Sequence, residues 1–176
     1  ADCPLECRYC CNREINKVFR QNVEKTRLKL GSYLHKDGIY FEKTGGGVTF
    51  GGGEPLLQAD FIVRCGRIYS MWNIDIETSL NIEWSEVEKL LDIVDVWHID
   101  IKDMDPDIYK AYTGCDNSLV TENLARLIKL VPAGRLHIRV PEIAGFNTKS
   151  AIENSVSRLR AMGFTDIEVF DYVVEK

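Results

Sequence analysis

Val48-Thr-Phe50-Gly51-Gly-Gly53-Glu54, with a second glycine triplet just upstream at Gly45-Gly-Gly47, is the stretch that decides how this chain folds. Three β-prone residues are broken by glycines, and 59–71 then carries a helical pattern, which makes one strand-to-helix unit. The unit repeats. Ile74-Asp-Ile-Glu77 reads as a strand, and 84–93 as its helix, with Val87, Leu90, Leu91 and Val94 at helical intervals. A third strand at 96–101 is followed by a short helix opening on Asp105-Pro106, with proline just inside its start, and by a longer one over 119–130 built on Val120, Leu124, Leu127 and Ile128. A fourth strand at 136–140, a helix over 148–162 ended by Gly163, and a fifth strand at 167–170 complete the series. Upstream, Ile15, Val18, Phe19, Leu30, Tyr33 and Leu34 predict helices over 12–20 and 23–35, stopped by Lys36-Asp-Gly38. Alternating strands and helices predict parallel β/α units whose right-handed crossovers put every helix on one side of a curling sheet. The expected fold is therefore α/β, an open, partial (β/α) barrel of about five or six parallel strands in a single domain over 1–176, with a doubly wound sheet as the alternative. Either way, ligand chemistry belongs at the carboxyl ends of the strands.

Composition narrows the function classes. The 176 residues are 45% hydrophobic and 28% charged, ordinary for a soluble domain with a substantial core. A net charge of -5 lacks the basic excess of a nucleic-acid surface. No apolar run approaches the roughly 20 residues that cross a bilayer, and the first residues lack a signal-peptide pattern. The six cysteines do not form a secreted disulfide framework, so the expected compartment is the reducing cytoplasm.

Three of those cysteines crowd into Cys3-Pro-Leu-Glu-Cys7-Arg-Tyr-Cys10. Thiolates at C-x3-C-x2-C spacing can reach one small inorganic core from a single loop, as iron-sulfur clusters require. A [4Fe-4S] cluster normally takes four ligands, so a set of three leaves one iron open to an exogenous ligand, by the logic that separates catalytic from structural zinc. A zinc site or unrelated surface cysteines are the alternatives, although no second C-x2-C or H-x3-H pair follows. Cys11, Cys65 and Cys115 fit no second cluster.

Cys3 to Cys10, with aromatic Tyr9 before the third cysteine, resembles the signature of radical S-adenosylmethionine enzymes. The stretch from Gly45 to Gln58, then Glu77-Thr78, Asp100-Ile-Lys102, Tyr112-Thr-Gly114 and the stretch from Ile138 to Asn147, resemble successive motifs of the glycyl radical enzyme activases, the pyruvate formate-lyase activating enzyme group. That family's fold is a six-unit partial barrel with a β-strand before the cysteine loop. Only Ala1 and Asp2 precede the loop here, so the first strand is expected to be missing. The resemblance implies that Cys3, Cys7 and Cys10 hold a [4Fe-4S] cluster, that Gly52, Gly53 and Glu54 lie in the segment contacting the methionyl amino group of S-adenosylmethionine, and that Tyr9 lies near the adenine. It implies further that Glu77, Thr78 and Asp100 contribute cofactor, cation or substrate contacts, and that Lys102 helps hold the cofactor. Gly51 replaces the serine common in the family, and Asp171-Tyr172-Val173 replaces its terminal Pro-Tyr-His.

The residues carry part of this reading unaided. Alternation puts Asp100 and Lys102 on one face of their strand, where they pair on the surface or point together into the barrel mouth. Arg139 is a charge within an apolar strand and needs an anionic partner, either the cofactor carboxylate or a structural carboxylate. Asn147 is a candidate ribose contact. His98 alternates with Asp100 and either faces the mouth or sits in the core, and His35 ends a helix.

The function expected is anaerobic reductive cleavage of S-adenosylmethionine to a 5'-deoxyadenosyl radical, with an electron from a donor such as flavodoxin or ferredoxin. The radical would be aimed at a glycine of a partner glycyl radical enzyme. With so few residues beyond the barrel the opening should stay wide, which suits an extended protein loop. The alternatives are a radical S-adenosylmethionine enzyme acting on a small molecule or peptide, and a non-catalytic iron-sulfur protein.

Overall fold

The computed structural model describes residues 3–13 and 36–172. The helices expected at 12–20 and 23–35, His35 and Val173 lie wholly or largely outside them. Five strands form one sheet: β1 (Gly47–Phe50), β2 (Asn73–Thr78), β3 (Val96–Asp100), β4 (Leu136–Glu142) and β5 (Ile167–Asp171). Every neighbouring pair is parallel, and the spatial order is the sequence order. That order excludes the doubly wound alternative, whose strand order must reverse at a switch point. With no reversal, right-handed crossovers stack the helices on one side and leave the other face open. The α-helices that follow β1 are α1 (Ala59–Ile68), α2 (Trp84–Glu88), α3 (Pro106–Thr113), α4 (Ser118–Leu130) and α5 (Lys149–Ala161).

The two faces of the sheet differ because the strands alternate. Ile74, Ile76, Trp97, Ile99, Leu136, Ile138 and Val140 point into the core beneath the helices, with Leu124, Leu127 and Leu159. The intervening positions are Asp75, Glu77, His98, Asp100, His137, Arg139 and Glu168. A parallel sheet covered on both faces reads as a nearly continuous apolar run. The alternation here marks the second face as the polar interior of an open barrel.

Two expectations change. Lys36-Asp-Gly38 does not stop a helix, because residues 36–44 are helical. Gly38 is buried there, and a Cβ on it would stand 3.0 Å from the Trp72 ring, so the glycine serves close approach rather than a turn. The helix expected over 84–93 is helical only to Glu88. Beyond it, Leu90, Leu91 and Ile93 donate to carbonyls three residues back, from Val87, Glu88 and Leu90. Apolar spacing of three and four residues does not separate such tight turns from an α-helix.

Candidate active site

Three elements hold the cysteine loop. The turn that closes α3, with Gly114 left-handed at φ 79°, accepts from Glu6 N at Thr113 O (2.8 Å) and from Arg8 N at Tyr112 O (3.1 Å), while the Cys115 thiol reaches Pro4 O at 3.3 Å. The turn after β1 accepts from Asn12 Nδ2 at Gly52 O, 2.8 Å. From the end of β5, the Tyr172 hydroxyl donates to Tyr9 O, 2.9 Å. Arg13 closes the loop on itself, donating from Nη2 to Cys7 O (2.8 Å) and Arg8 O (3.1 Å).

Cys3, Cys7 and Cys10 line one cavity of about 670 Å³, with Arg8, Arg13 and Lys110 at its margin. Burial pushes the Cys3 and Cys7 thiols up to about 11, opposed at Cys7 by the Lys102 ammonium. Both are neutral thiols near pH 7 without metal, so a cluster must displace their protons on binding. Among the described residues, no three His, Cys, Asp or Glu side chains are grouped to hold a single metal ion. Three thiols lining one cavity are the donor chemistry that an iron-sulfur cluster takes.

Glu54 is buried, and its carboxylate is fully engaged. Oε1 accepts from Leu56 N (3.2 Å) and Thr78 Oγ1 (2.7 Å), and Oε2 from Ser79 N (3.0 Å) and Ser79 Oγ (2.7 Å). Burial raises its pKa, and the bonds from Thr78, Ser79 and Leu56 oppose the rise. Thr78 is committed as well, since its hydroxyl accepts from Leu80 N at 2.9 Å. These two side chains lash the turn after β1 to the end of β2. What the glycine turn offers a ligand is therefore backbone: Gly52 sits at φ 106° with open space where a side chain would stand. Leu80, fully buried, is left-handed at φ 54° and held by Asn123 Nδ2 on its carbonyl at 2.9 Å. Such a conformation stores roughly 1 kcal/mol or more of strain, which persists only where neighbours impose it.

The polar face brings Glu77, Asp100, Lys102 and Arg139 together at the strand ends. Lys102 Nζ lies 3.4 Å from Asp100 Oδ2. Burial favours its neutral amine, but Asp100, Cys7 and Tyr172 outweigh that and hold the ammonium above its ordinary range. Arg139 Nη1 lies 3.3 Å from Glu77 Oε1 and 3.5 Å from Asp100 Oδ1, its Nε 3.7 Å from Glu168 Oε2, and its guanidinium stands over the Phe170 ring. The anionic partner that Arg139 requires is thus supplied by the chain's own carboxylates. Asp100 Oδ1 is buried and accepts no hydrogen bond.

Other candidates fall differently. Asn147 closes its own loop, accepting from Ile143 N (2.7 Å) and donating to Pro141 O (3.0 Å), which spends the atoms a ribose contact would use. His98 is on the polar face, its Nε2 4.0 Å from Asp75 Oδ2, and not in the core. Tyr9 packs edge-on against Tyr112 and Phe146, and Tyr112 against Tyr172. Sequence reasoning missed the part that Tyr172 plays here, although it is the tyrosine that Asp171-Tyr172-Val173 keeps of the family's Pro-Tyr-His. It also missed His137, whose ring nitrogens meet Asp166 Oδ2 (2.9 Å) and Glu168 Oε2 (3.3 Å). Alternation with Arg139 on β4 places it on the same face.

A family model described as the Radical SAM superfamily matches residues 1–169. The chain is 39% identical to the (2S)-3-sulfopropanediol dehydratase activating enzyme of Klebsiella oxytoca over 65% of its own length and 36% of that protein's. It is 27% identical to the isethionate sulfite-lyase activating enzyme of Oleidesulfovibrio alaskensis over 97% of its own length and 55% of that protein's. It therefore spans between about a third and just over half of these relatives. The fold is shared with Streptococcus suis SuiB, solved bound to S-adenosylmethionine, at a TM-score of 0.63 and 16% identity over 99% of this chain and 38% of that one. The five-stranded parallel partial barrel and the family match agree: the chain belongs to the radical SAM superfamily, whose cofactors are a [4Fe-4S] cluster and S-adenosylmethionine.

Proposed function

We propose that this chain is the catalytic domain of a glycyl radical enzyme activase. Cys3, Cys7 and Cys10 hold the cluster, and the strand ends receive S-adenosylmethionine. The observation that carries the reading is where the cysteine loop is tied: Asn12 bonds the turn after β1 at Gly52 O, and Tyr172 past the end of β5 bonds Tyr9 O, so the three cysteines lie at the carboxyl ends of the strands, as do Asp100 and Lys102. An electron carrier without turnover has no use for such a polar cradle. When bound, the cluster supplies the electron that splits S-adenosylmethionine into methionine and a 5'-deoxyadenosyl radical. The chain's residues bind and aim. Lys102 is positioned for the cofactor carboxylate, the Gly51 to Gly53 backbone for its amino group, and Tyr9 for its adenine. The wide polar face, with Glu77, Asp100 and Arg139, accepts an extended glycine-bearing loop through backbone hydrogen bonds.

The named relatives are the activating enzymes of a (2S)-3-sulfopropanediol dehydratase and of an isethionate sulfite-lyase, and the proposed substrate is likewise a partner enzyme, one that carries its radical on glycine, with flavodoxin or ferredoxin as electron donor. None of the six cysteines forms a disulfide, and no helix among the described residues is long and apolar enough to cross a membrane. The free thiols suit the reducing cytoplasm proposed as its setting.

Anaerobic reconstitution should give about four irons per chain, abolished by Cys3→Ala, Cys7→Ala or Cys10→Ala and kept by Cys65→Ala. Reduced, loaded protein should release 5'-deoxyadenosine. A glycyl doublet in electron paramagnetic resonance should appear only when a partner enzyme is added. A cluster surviving the loss of Cys7 would sink the ligand assignment. Deuterium passing from a small metabolite into 5'-deoxyadenosine, with no doublet from any partner, would sink the substrate assignment.

A further inference from the structure

Asn12 stands two residues beyond Cys10, and its carboxamide reaches the turn after β1, donating from Nδ2 to Gly52 O at 2.8 Å. A carbonyl oxygen accepts and never donates, so the bond also fixes which end of the carboxamide points inward. The rest of the turn is anchored elsewhere. On one side, a Cβ on Gly51 would stand 3.0 Å from the Glu77 carboxylate, and on the other Glu54 is bonded on both oxygens. Gly52 between them has open space on its side-chain face, leaving its carbonyl as the point where the middle of the turn is gripped.

Asn12 cannot shift independently of the cysteines. Arg13 N bonds to Cys10 O (3.4 Å) and Cys10 N to Cys7 O (3.3 Å), while the Arg13 guanidinium takes the Cys7 and Arg8 carbonyls. Whatever fixes Cys7 and Cys10 therefore fixes Asn12, and through it Gly52. We propose that Asn12 is a positioning residue that couples occupancy of the cysteine loop to the order of the Gly51 to Gly53 turn. A cluster on the three thiols then preorganises the backbone offered to the amino-acid end of S-adenosylmethionine. The cofactor half of this statement rests on the function proposed above. Because such coupling is reciprocal, S-adenosylmethionine should also make the loaded loop hold its cluster more firmly.

The test compares wild type with Asn12→Asp, which keeps the shape and removes the donor, and Asn12→Ala, which removes the arm. Amide hydrogen exchange is followed over the turn with and without anaerobic reconstitution. In wild type, reconstitution should slow exchange at Gly51 to Gly53 by about tenfold, the effect of one intact hydrogen bond. In both variants the slowing should vanish while iron per chain is unchanged. Equal slowing in all three proteins overturns the proposal. Iron loss in parallel with the exchange effect overturns it too, because Asn12 would then merely support the loop. An effect confined to Asn12→Asp assigns it to the added charge and overturns the donor role. Calorimetric titration with S-adenosylmethionine forms the second arm, with affinity expected to fall about tenfold in both variants. Loss of coupling in the exchange experiment with unchanged affinity would uphold the coupling and overturn the reading of the glycine turn as a cofactor cradle.

Discussion

Two carboxylate sites a few residues apart in the fold are built on opposite plans. Around Glu54 every acceptor position is filled by a donor at 2.7 to 3.2 Å, out of contact with solvent. Around Arg139 the ion pairs are longer, 3.3 to 3.7 Å, Glu77 and Glu168 are about half exposed, and one oxygen of Asp100 accepts nothing. A buried polar group must be satisfied, so the first arrangement is complete and works for the fold. The second leaves hydrogen-bonding capacity over, and a surplus at the mouth of a barrel is what a ligand can use.

If this contrast holds, the largest effect belongs to the complete site. Glu54→Ala strands the Thr78 and Ser79 hydroxyls and two backbone N-H groups, and should cost roughly 3 kcal/mol in denaturant unfolding. Glu77→Ala, on an exposed side chain, should stay within about 0.5 kcal/mol. Similar losses from the two would erase the distinction. Next in size is Lys102→Ala, which should leave the cluster's iron intact and weaken S-adenosylmethionine binding by about 1 to 3 kcal/mol through loss of a charge-assisted bond. Unchanged affinity in calorimetry would make Lys102 a partner of Asp100 and nothing more.

The smallest effect sharpens the contrast at the far end of the polar face. Burial works against a charged His137, but Asp166 and Glu168 outweigh it and raise the pKa. A raised folded-state pKa means that the stabilisation is complete below the ordinary histidine value near 6.5 and is lost as pH rises through the higher folded value. Both carboxylates are largely exposed, so the contribution is small. Wild type should lose this increment relative to His137→Gln as pH increases through that window. A difference independent of pH would return the cluster to neutral hydrogen bonding.

The strand-and-helix order was legible because each unit carries its own alternation and its own stop signal. Asp105 with Pro106 capped α3 as written, and Thr148 caps α5 by accepting from Ala151 N. The identity of the site's motifs was legible too, but not their partners. Arg139 meets Asp100 and Glu168 because β4 pairs in register with β3 and β5, and no pattern within one strand contains that information. The same holds for Glu54, three of whose four donors lie 24 and 25 residues away at the end of another strand. Gly38 misled because a glycine reads alike whether it turns the chain or admits a tryptophan ring.

The cysteine loop also has a mechanical consequence. It is tied on one side to the turn that follows β1 and on the other to Tyr172 just past β5, the two edge strands of the sheet among the described residues. An open sheet can widen or narrow by changing its twist. A strap fastened at both rims limits that motion as a bowstring sets the bend of a bow, so the segment carrying the thiols also sets how far the barrel gapes.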